Sequence, residues 1–552
     1  MSRFTLSSPP KTLKKWQLTI ISAITGILLS LAWPLNGFSP ILLFAFLPLL
    51  YVENYIISNP YSFSKYAAFR YSYLSFLIWN ILTTWWIWNS TEIGGVLAIL
   101  LNSAFMSLTF QVFHFVHKKL YDGSRGIYAL IPLWITFEYL HLDWDLSWPW
   151  LNLGNGFASF HKWIQWYEYT GTFGGTTWIL LSNILIFDLV HSFYNKKASI
   201  KSKIITRVIT PIVIIVPIVI SFVIYYQTED KGEKASIVVG QPNIDPYKEQ
   251  YELSVDQSIN RNLEVTKPLL NDKTNFLILP ESTLQEDIEE NQIENSESIL
   301  RLETLLIKYP KLSILVGAST YKVYKKDEPL TQTARKFPNT DIFYDSYNTA
   351  LFIQKGEKTQ TYHKSKLVPG VEKMPFPKLL SPLQKFAFDL GGTVSSYGIN
   401  KSRTVFFSED HKFGLAPAIC YESIYGEFMS RYVRNGANIF AIITNDGWWG
   451  DTPGHKQHFI YATLRAIENR RSIARSANTG ISGFFNQRGD IIEETKYWVP
   501  DALQYNVPAN TELTFYVKHG DYLGKMFSFI SFFMILTTIV KAIIKRQKKT
   551  SK

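Results

Sequence analysis

Long apolar runs fill residues 16–227 and constrain the fold of this chain more than any other feature. A run of about 20 apolar residues spans a bilayer as a helix, and we predict about eight such spans. They lie at about 16–33, 40–57, 67–88, 95–117, 126–141, 168–194, 204–226 and 522–544. Residues 231–515 hold most of the acidic side chains and are typical of a water-soluble region between the last two spans.

Lysine and arginine lie beside alternate ends of the predicted spans. They precede the first span and follow the second, fourth, sixth and eighth, whereas the connections LNGFSP, NSTEIGG and HLDWDLSWPW are poor in them. Because basic residues remain on the cytoplasmic side of a membrane, both termini are predicted to be cytoplasmic and the soluble region to lie outside. This distribution also accounts for the net charge of +11. No nucleic-acid partner is predicted, since no binding motif accompanies that charge.

From residue 234 the sequence alternates short β-rich runs with helical stretches. ASIVVGQPN, NFLILPES and LSILVGAS are typical of strands, and HFIYATLRAIENRRSIARSA is typical of a helix. This alternation predicts an α/β fold of layered sheets. We therefore divide the chain into a membrane domain with seven spans (1–228), a soluble domain (229–518) and an eighth span with a basic tail (519–552).

Three predicted strands of the soluble domain end in side chains of complementary chemistry. Cys420 is the only cysteine and follows an apolar run, Glu281 follows FLILP, and Lys364 follows TYH. Catalytic groups collect at the carboxyl ends of strands in α/β sheets, where these three would act as nucleophile, general base and oxyanion partner. We also expect a lowered pKa for the thiol, because a helix is predicted to begin just after it and to end at Gly436.

Other interpretations of these residues remain open from the sequence alone. A lone cysteine is often a small buried apolar residue. Alternatively, His411, His455 or His458 could form a Cys-His pair with Cys420. The sequence contains no HExxH, CxxC or GxSxG, so we predict neither a metal nor any other cofactor.

The soluble half resembles the carbon-nitrogen hydrolase (nitrilase) superfamily. Its Glu-Lys-Cys triad is matched in order by LPES at Glu281, YHKSKLVP at Lys364 and ICYES at Cys420, followed by TNDGWWG. With the predicted spans, nearly the whole chain is similar to the apolipoprotein N-acyltransferase family. The resemblance implies an α-β-β-α sandwich attached to a polytopic helical membrane domain.

The resemblance implies acyl transfer in the bacterial inner membrane. Family members take an acyl chain from a phospholipid, usually phosphatidylethanolamine, onto the cysteine as a thioester. They pass it to the N-terminal amine of the diacylglyceryl-cysteine of an apolipoprotein, the last step of lipoprotein maturation. The catalytic domain would then be periplasmic, and nothing in the sequence demands more than a monomer. Two alternatives are a membrane-anchored amidohydrolase, in which water takes the acyl group, and a non-catalytic membrane protein.

The resemblance extends to residues beside the triad. Glu372 stands where the family has a supporting glutamate, eight residues after Lys364, although it could equally be a structural ion-pair partner of that lysine. Tyr421 and Glu422 match the two family residues that follow the cysteine. Tyr247 stands where the family often has a functional tryptophan.

Further residues are predicted to surround the pocket. The strand-end motif TNDGWWG is expected to supply pocket walls, namely Asn445, Asp446, Trp448 and Trp449. Leu279 replaces the aromatic residue of the family's WPE motif. Two apolar segments rich in Pro and Gly, 368–380 and 386–397, are candidates for mobile lids beside the lipid surface.

Overall fold

The computed structural model describes residues 13–35, 37–121, 126–194, 200–250, 252–376 and 396–550. Much of the two predicted lid segments, residues 377–395, lies outside the described residues. Contacts divide the chain into two units. The membrane unit comprises Met1–Trp85, Gly95–Tyr225 and Asp521–Lys552, and the catalytic unit comprises Trp86–Gly94 and Tyr226–Gly520.

The amino-terminal part of the chain is helical. Its helices are α1 (Lys15–Ala32), α2 (Leu47–Ser58), α3 (Ala67–Thr84), α4 (Glu92–Leu120), α5 (Leu130–Leu140), α6 (Tyr167–Tyr194) and α7 (Ile200–Gln227). Residue Gly171 interrupts α6 with a positive φ of 60°, a conformation that glycine adopts without steric cost.

Six helices in the described part of the chain are long and apolar enough to cross a membrane. They are Lys15–Ala32, Ser39–Ser58, Glu92–Leu120, Tyr167–Phe193, Ile204–Gln227 and Tyr522–Lys548. The other two predicted spans also form helices: α3 has 18 residues, and Gly126–Leu140 is a shorter apolar helix. A helical membrane domain is therefore confirmed, while the number of eight spans stays a prediction.

A buried carboxylate organises the bent segment that follows α5. Glu138 accepts hydrogen bonds from the indole N–H of Trp134 (3.0 Å), the backbone N–H of Leu153 (2.7 Å) and the hydroxyl of Thr176 (2.7 Å). Two 3₁₀ turns, Pro149–Leu151 and Leu153–Trp163, form this segment. Because its donors come from three elements, Glu138 fixes the bend inside the membrane unit.

The catalytic unit contains two sheets. The first has the order β14-β1-β2-β4-β6-β5, with β3 paired to β4 and β7 to β6, and the second has the order β13-β12-β11-β10-β9-β8. Their strands are β1 (Glu233–Gln241), β2 (Phe276–Ile278), β3 (Leu284–Glu289), β4 (Ser313–Val323), β5 (Arg335–Lys336), β6 (Phe343–Ile353), β7 (Gln360–His363), β8 (Phe406–Phe407), β9 (Gly414–Ile419), β10 (Ile439–Thr444), β11 (Ser472–Ala477), β12 (Gly483–Phe485), β13 (Ile491–Glu494) and β14 (Asp501–Ala509). The central pairs β1–β2, β2–β4, β9–β10 and β10–β11 are parallel.

Helices cover the outer faces of the two sheets. They are α8 (Val255–Thr266), α9 (Glu297–Lys308), α10 (Gly426–Arg434) and α11 (Pro453–Asn469). The short α12 (Phe515–His519) packs against α10 and α11, and α13 (Tyr522–Thr550) follows it. Apolar residues of α8 and α9 pack on one face of the first sheet in a single core, while β1 contacts β11 of the second sheet. The predicted α-β-β-α sandwich is confirmed.

The segment after Cys420 differs from the sequence prediction. Instead of one helix, Cys420–Ile424 forms a 3₁₀ turn, and α10 begins only at Gly426. The separating residue, Tyr425, has an extended backbone (φ −91°, ψ 112°). The thiol therefore does not lie at the N-terminus of an α-helix.

Candidate active site

The structure brings the three predicted catalytic residues into one buried cluster. Glu281 lies just beyond β2, Lys364 directly follows β7, and Cys420 directly follows β9. The ammonium Nζ of Lys364 donates to Oε1 of Glu281 at 2.9 Å. All three residues are less than a tenth exposed. The predicted convergence of strand ends is thus what the geometry shows.

A close backbone approach positions Glu281. A Cβ added to Gly317 of β4 would lie 2.6 Å from the Cα of Glu281 and from the carbonyl oxygen of Pro280. The backbone N–H of Gly317 donates to that oxygen, and the backbone N–H of Thr283 donates to the carbonyl of Gly317. Only glycine lets the strand end pack this closely against β4, so Gly317 sets the position of the carboxylate.

Glu372 completes the surroundings of Lys364. Its Oε1 accepts from Nζ of Lys364 at 2.7 Å, and its Oε2 accepts from the backbone N–H of Val368 at 2.8 Å. Burial alone would lower the pKa of Lys364, but the Glu281 and Glu372 carboxylates hold that pKa well above its ordinary value. The lysine is therefore a fixed positive charge beside the thiol. Both sequence interpretations of Glu372, site support and ion pairing, describe this contact.

Asn348 of β6 was not singled out from the sequence. Its side-chain N–H₂ donates to Oε1 of Glu281 at 2.8 Å and to Oε1 of Glu372 at 3.2 Å. Its backbone carbonyl accepts from the N–H of Lys364. The side-chain amide of Asn348 thus joins both carboxylates, and its main-chain carbonyl holds the lysine backbone. A polar residue entering an apolar run, NTALFIQ, is the only signal that the sequence offers.

We predict that Asn348→Leu reduces activity by about 10- to 100-fold, because two buried carboxylates each lose a donor and their positions relax. The measurement is kcat together with thermal unfolding. A matched control is Gln354→Leu, whose side chain donates to Ser313 and to the Phe407 carbonyl rather than to the site. That control should lose about 1 kcal/mol of stability and keep kcat. Equal kcat values in the two variants would contradict the role of Asn348.

The pKa of the Cys420 thiol differs from the prediction made from the sequence. Burial and the nearby Glu281 carboxylate raise its pKa well above the ordinary value, and the positive charge of Lys364 only partly offsets them. A lowered pKa was expected from a helix N-terminus that the structure does not place there. The resting group is therefore a neutral thiol that must lose its proton to a base during attack.

This leads to a pH prediction. Since the pKa of Cys420 is raised, the thiolate fraction should grow about tenfold per pH unit between about pH 7 and about pH 9 without a plateau. The rate of labelling by iodoacetamide measures the thiolate fraction of Cys420 alone, because the chain has a single cysteine. Glu281→Gln removes a charge that raises the pKa, so labelling at about pH 8 should quicken while acyl transfer fails. A labelling plateau below about pH 8 in the parent protein would contradict this assignment.

Glu422 joins the two strand ends that carry Lys364 and Cys420. Its Oε1 accepts from the hydroxyl of Tyr362 (2.7 Å) and the backbone N–H of Ser365 (2.6 Å), and its Oε2 accepts from the backbone N–H of Ile419 (2.9 Å). Glu422 is fully buried. It therefore holds the two strand ends together.

The other predicted pocket residues are placed as follows. Tyr421 is buried, with its ring 5.3 Å from that of Tyr425. The backbone N–H of Asn445 donates to Oε2 of Glu281 at 3.1 Å, and its side chain donates to Gln250. Asn445 thus supports the carboxylate directly.

Tyr247 and the two tryptophans take part in two aromatic pairs. The hydroxyl of Tyr247 donates to the Trp448 carbonyl at 2.6 Å and lies 2.9 Å from the carbonyl of Asn89. The rings of Tyr247 and Trp448 are 5.2 Å apart, and that of Trp449 is 4.9 Å from Trp86. Tyr247 is more than half exposed, so an aromatic surface is available at the position that the family fills with tryptophan.

Asp446, predicted to line the pocket, is fully buried, and its carboxylate lies close to the thiol. It is bound by His458 and Arg475, and the ligand atoms of Cys420, Asp446 and His458 lie within 4.8 Å of one another. The positive charges of Arg475 and Lys364 disfavour a cation among them. Of the rival histidines, His458 is thus the one near Cys420, but its Nε2 lies 3.2 Å from the Cys420 carbonyl oxygen, in the backbone.

Two family models match successive parts of this chain. Residues 239–512 match the carbon-nitrogen hydrolase family model, and residues 25–185 match the model of the apolipoprotein N-acyltransferase N-terminal domain. The yeast protein Nit3, a member of the nitrilase superfamily, covers 51% of this chain and 92% of its own, with 15% identity and a TM-score of 0.34. Fold and site define a membrane protein with a catalytic domain of the carbon-nitrogen hydrolase class.

Relatives over the full length give the family. Apolipoprotein N-acyltransferase of Chlorobaculum tepidum is 27% identical, covering 90% of this chain and 92% of its own. The enzymes of that name from Geobacter metallireducens and Haemophilus influenzae are each 25% identical, covering 91% and 97% of both chains. The chain belongs to the apolipoprotein N-acyltransferase family.

Proposed function

We propose that this protein transfers an acyl chain from a phospholipid, through a thioester on Cys420, to the N-terminal amine of the diacylglyceryl-cysteine of an apolipoprotein. The observation that carries the proposal is the buried cluster of Cys420, Glu281 and Lys364 at neighbouring strand ends. Family membership supports the choice of acyl transfer, and the apolar helices support substrates that reside in lipid.

In the first half-reaction the thiol attacks the ester carbonyl of the phospholipid. Glu281 accepts the thiol proton as the S–C bond forms. The ammonium of Lys364 and the backbone N–H of Tyr421 stabilise the oxyanion that develops. The ester C–O bond then breaks, and Glu281 returns the proton to the leaving alkoxide. The products are a thioester on Cys420 and a lysophospholipid.

In the second half-reaction the apolipoprotein amine attacks the thioester. Glu281 accepts an amine proton as the N–C bond forms, and the same two donors stabilise the second oxyanion. The C–S bond breaks and the proton returns to sulfur. The free thiol of Cys420 is restored, so the cycle needs no cofactor.

The remaining residues support this chemistry in distinct ways. Glu372 and Asn445 hold Lys364 and Glu281, the two groups that they contact. The aromatic group of Tyr247, Trp448 and Trp449 offers an apolar wall for an acyl chain. Glu422 acts through the scaffold rather than on substrate.

The charge pattern of the sequence supports a location in the bacterial inner membrane, with both termini cytoplasmic and the catalytic domain (229–518) periplasmic between membrane segments 1–228 and 519–552. Phosphatidylethanolamine is the proposed donor, from the family resemblance, and the monomer is the proposed functional state. Labelling of single introduced cysteines at the termini and in the catalytic domain of a Cys420→Ala background tests the orientation.

The central test uses purified protein incubated with phosphatidylethanolamine vesicles, followed by intact mass. The expected result is an acyl-sized mass increase on Cys420 that disappears when a diacylglyceryl lipopeptide is added, with the acyl group recovered on the peptide amine. An adduct that water discharges and the lipopeptide does not would identify an amidohydrolase. No adduct at all would overturn catalysis at Cys420.

A further inference from the structure

Two side chains that the proposed reaction does not use contact the backbone carbonyl of Cys420. The hydroxyl of Ser423 donates to this oxygen at 2.7 Å, and Nε2 of His458 lies 3.2 Å from it. The same nitrogen is 3.1 Å from the Ser423 hydroxyl. Ser423 and His458 are 4% and 2% exposed. The carbonyl is thus surrounded by polar groups that have little freedom to move.

A buried ion pair fixes the imidazole in turn. Nδ1 of His458 lies 2.9 Å from Oδ1 of Asp446, and Oδ2 of Asp446 accepts from Arg475 at 2.6 Å. Thr444 also donates to Asp446 at 2.7 Å. Burial opposes a charge on Asp446, but Arg475 and His458 hold the pKa of that carboxyl below its ordinary range. Because breaking a buried, well-bonded pair is costly, His458 cannot readily turn away from Cys420.

The constraint reaches the next residue through the peptide bond. The carbonyl of Cys420 and the N–H of Tyr421 belong to one planar, trans peptide group, in which they point in opposite directions. Cys420 has a φ of +51°, a region that residues with a side chain rarely occupy. Such a conformation persists only where neighbours hold it. Fixing the carbonyl therefore fixes the direction of the Tyr421 N–H.

We propose that Ser423 and His458 are positioning residues that orient the Cys420–Tyr421 peptide and so aim the Tyr421 N–H at the oxyanion of both half-reactions. This rests on the proposed function, in which that N–H is an oxyanion donor. An oxyanion donor acts only at about 2.7–3.1 Å from the oxygen, so a modest rotation of the peptide weakens it. Neither side chain touches the substrate in this role.

Two reactions of the same sulfur test the proposal. Acylation by a fluorescent phosphatidylethanolamine passes through an oxyanion that the Tyr421 N–H would stabilise. Alkylation by iodoacetamide displaces iodide directly and forms no oxyanion. In the full-length protein, Ser423→Ala should slow acylation by about 10-fold and leave the alkylation rate unchanged. His458→Leu should slow acylation by about 100-fold. His458→Gln, which can keep a nitrogen near the position of Nε2, should recover part of that loss.

The control is Ser430→Ala in α10. Ser430 is also a fully buried serine, but its hydroxyl donates to Asn469 instead of to the backbone of Cys420. Both rates should stay at the parent level in this variant. The positioning role would be overturned if Ser423→Ala slowed acylation and alkylation equally. It would also be overturned if the variant slowed neither reaction. A parent protein that forms no acyl adduct would instead overturn the proposed function itself, which separates the two failures.

Discussion

Replacing Cys420 by serine should lower the rate of acyl transfer by at least about 10⁴-fold, which is the usual size of the rate loss when a catalytic nucleophile is removed. The serine hydroxyl fits the same buried site, but it is far less acidic than a thiol. Glu281 would therefore have to remove a much less acidic proton. The measurement is transfer of a fluorescent acyl chain from phosphatidylethanolamine to a lipopeptide, with the acyl adduct followed by intact mass.

Stability provides the control for this substitution. Cys420→Ser exchanges one small side chain for another, so the thermal unfolding midpoint should change little, and iodoacetamide labelling should vanish because no other cysteine exists in the chain. Loss of transfer with an intact fold would identify the nucleophile. Transfer that survives at more than a few per cent would refute the assignment of Cys420.

Replacing Lys364 by methionine should damage both chemistry and stability. The ammonium lies 2.9 Å from Glu281 and 2.7 Å from Glu372, and all three side chains are largely buried. Without it the two carboxylates lose their shared counter-charge, a change that costs about 3–5 kcal/mol for a buried pair. Because the oxyanion also loses its positive partner, acyl transfer should fall by about 10³-fold. Thermal unfolding and single-turnover acylation measure the two effects separately.

A second lysine nearby supplies a matched comparison. Lys366 lies two residues further along and places its Nζ over the Tyr425 ring, 4.9 Å from its centroid. Lys366→Met removes a lysine charge from the ring of Tyr425, so we expect a stability change below about 1 kcal/mol and unchanged transfer. If Lys364→Met behaved like Lys366→Met, Lys364 could not be the proposed oxyanion partner.

The parts of the site that the sequence predicted share one property. Glu281, Lys364 and Cys420 each come just after a predicted strand, and the rule that catalytic groups gather at strand ends brings them together without any distance information. The sandwich likewise follows from alternating strands and helices. These predictions depend on local patterns, which a sequence displays directly.

The parts that could not be predicted depend on distant partners. Asn348 is tied to Glu281, 67 residues away, and only the folded chain reveals that contact. Asp446 pairs with Arg475, 29 residues away, and the sequence pattern gives no sign of that pair. The direction of the Cys420 pKa shift could not be predicted without knowing that the thiol is buried and that Glu281 lies near it. Each of these outcomes is set by tertiary packing and not by local propensity.

The bonds of Glu422 bear on when the protein becomes reactive. Glu422 joins the end of β7 in the first sheet to the end of β9 in the second, so the lysine and the thiol meet only after the two sheets have docked. A chain still emerging from the ribosome carries an ordinary thiol with neither base nor counter-charge beside it. Assistance from the base and the positive charge, and with it acyl transfer, is therefore expected only once the sandwich has closed.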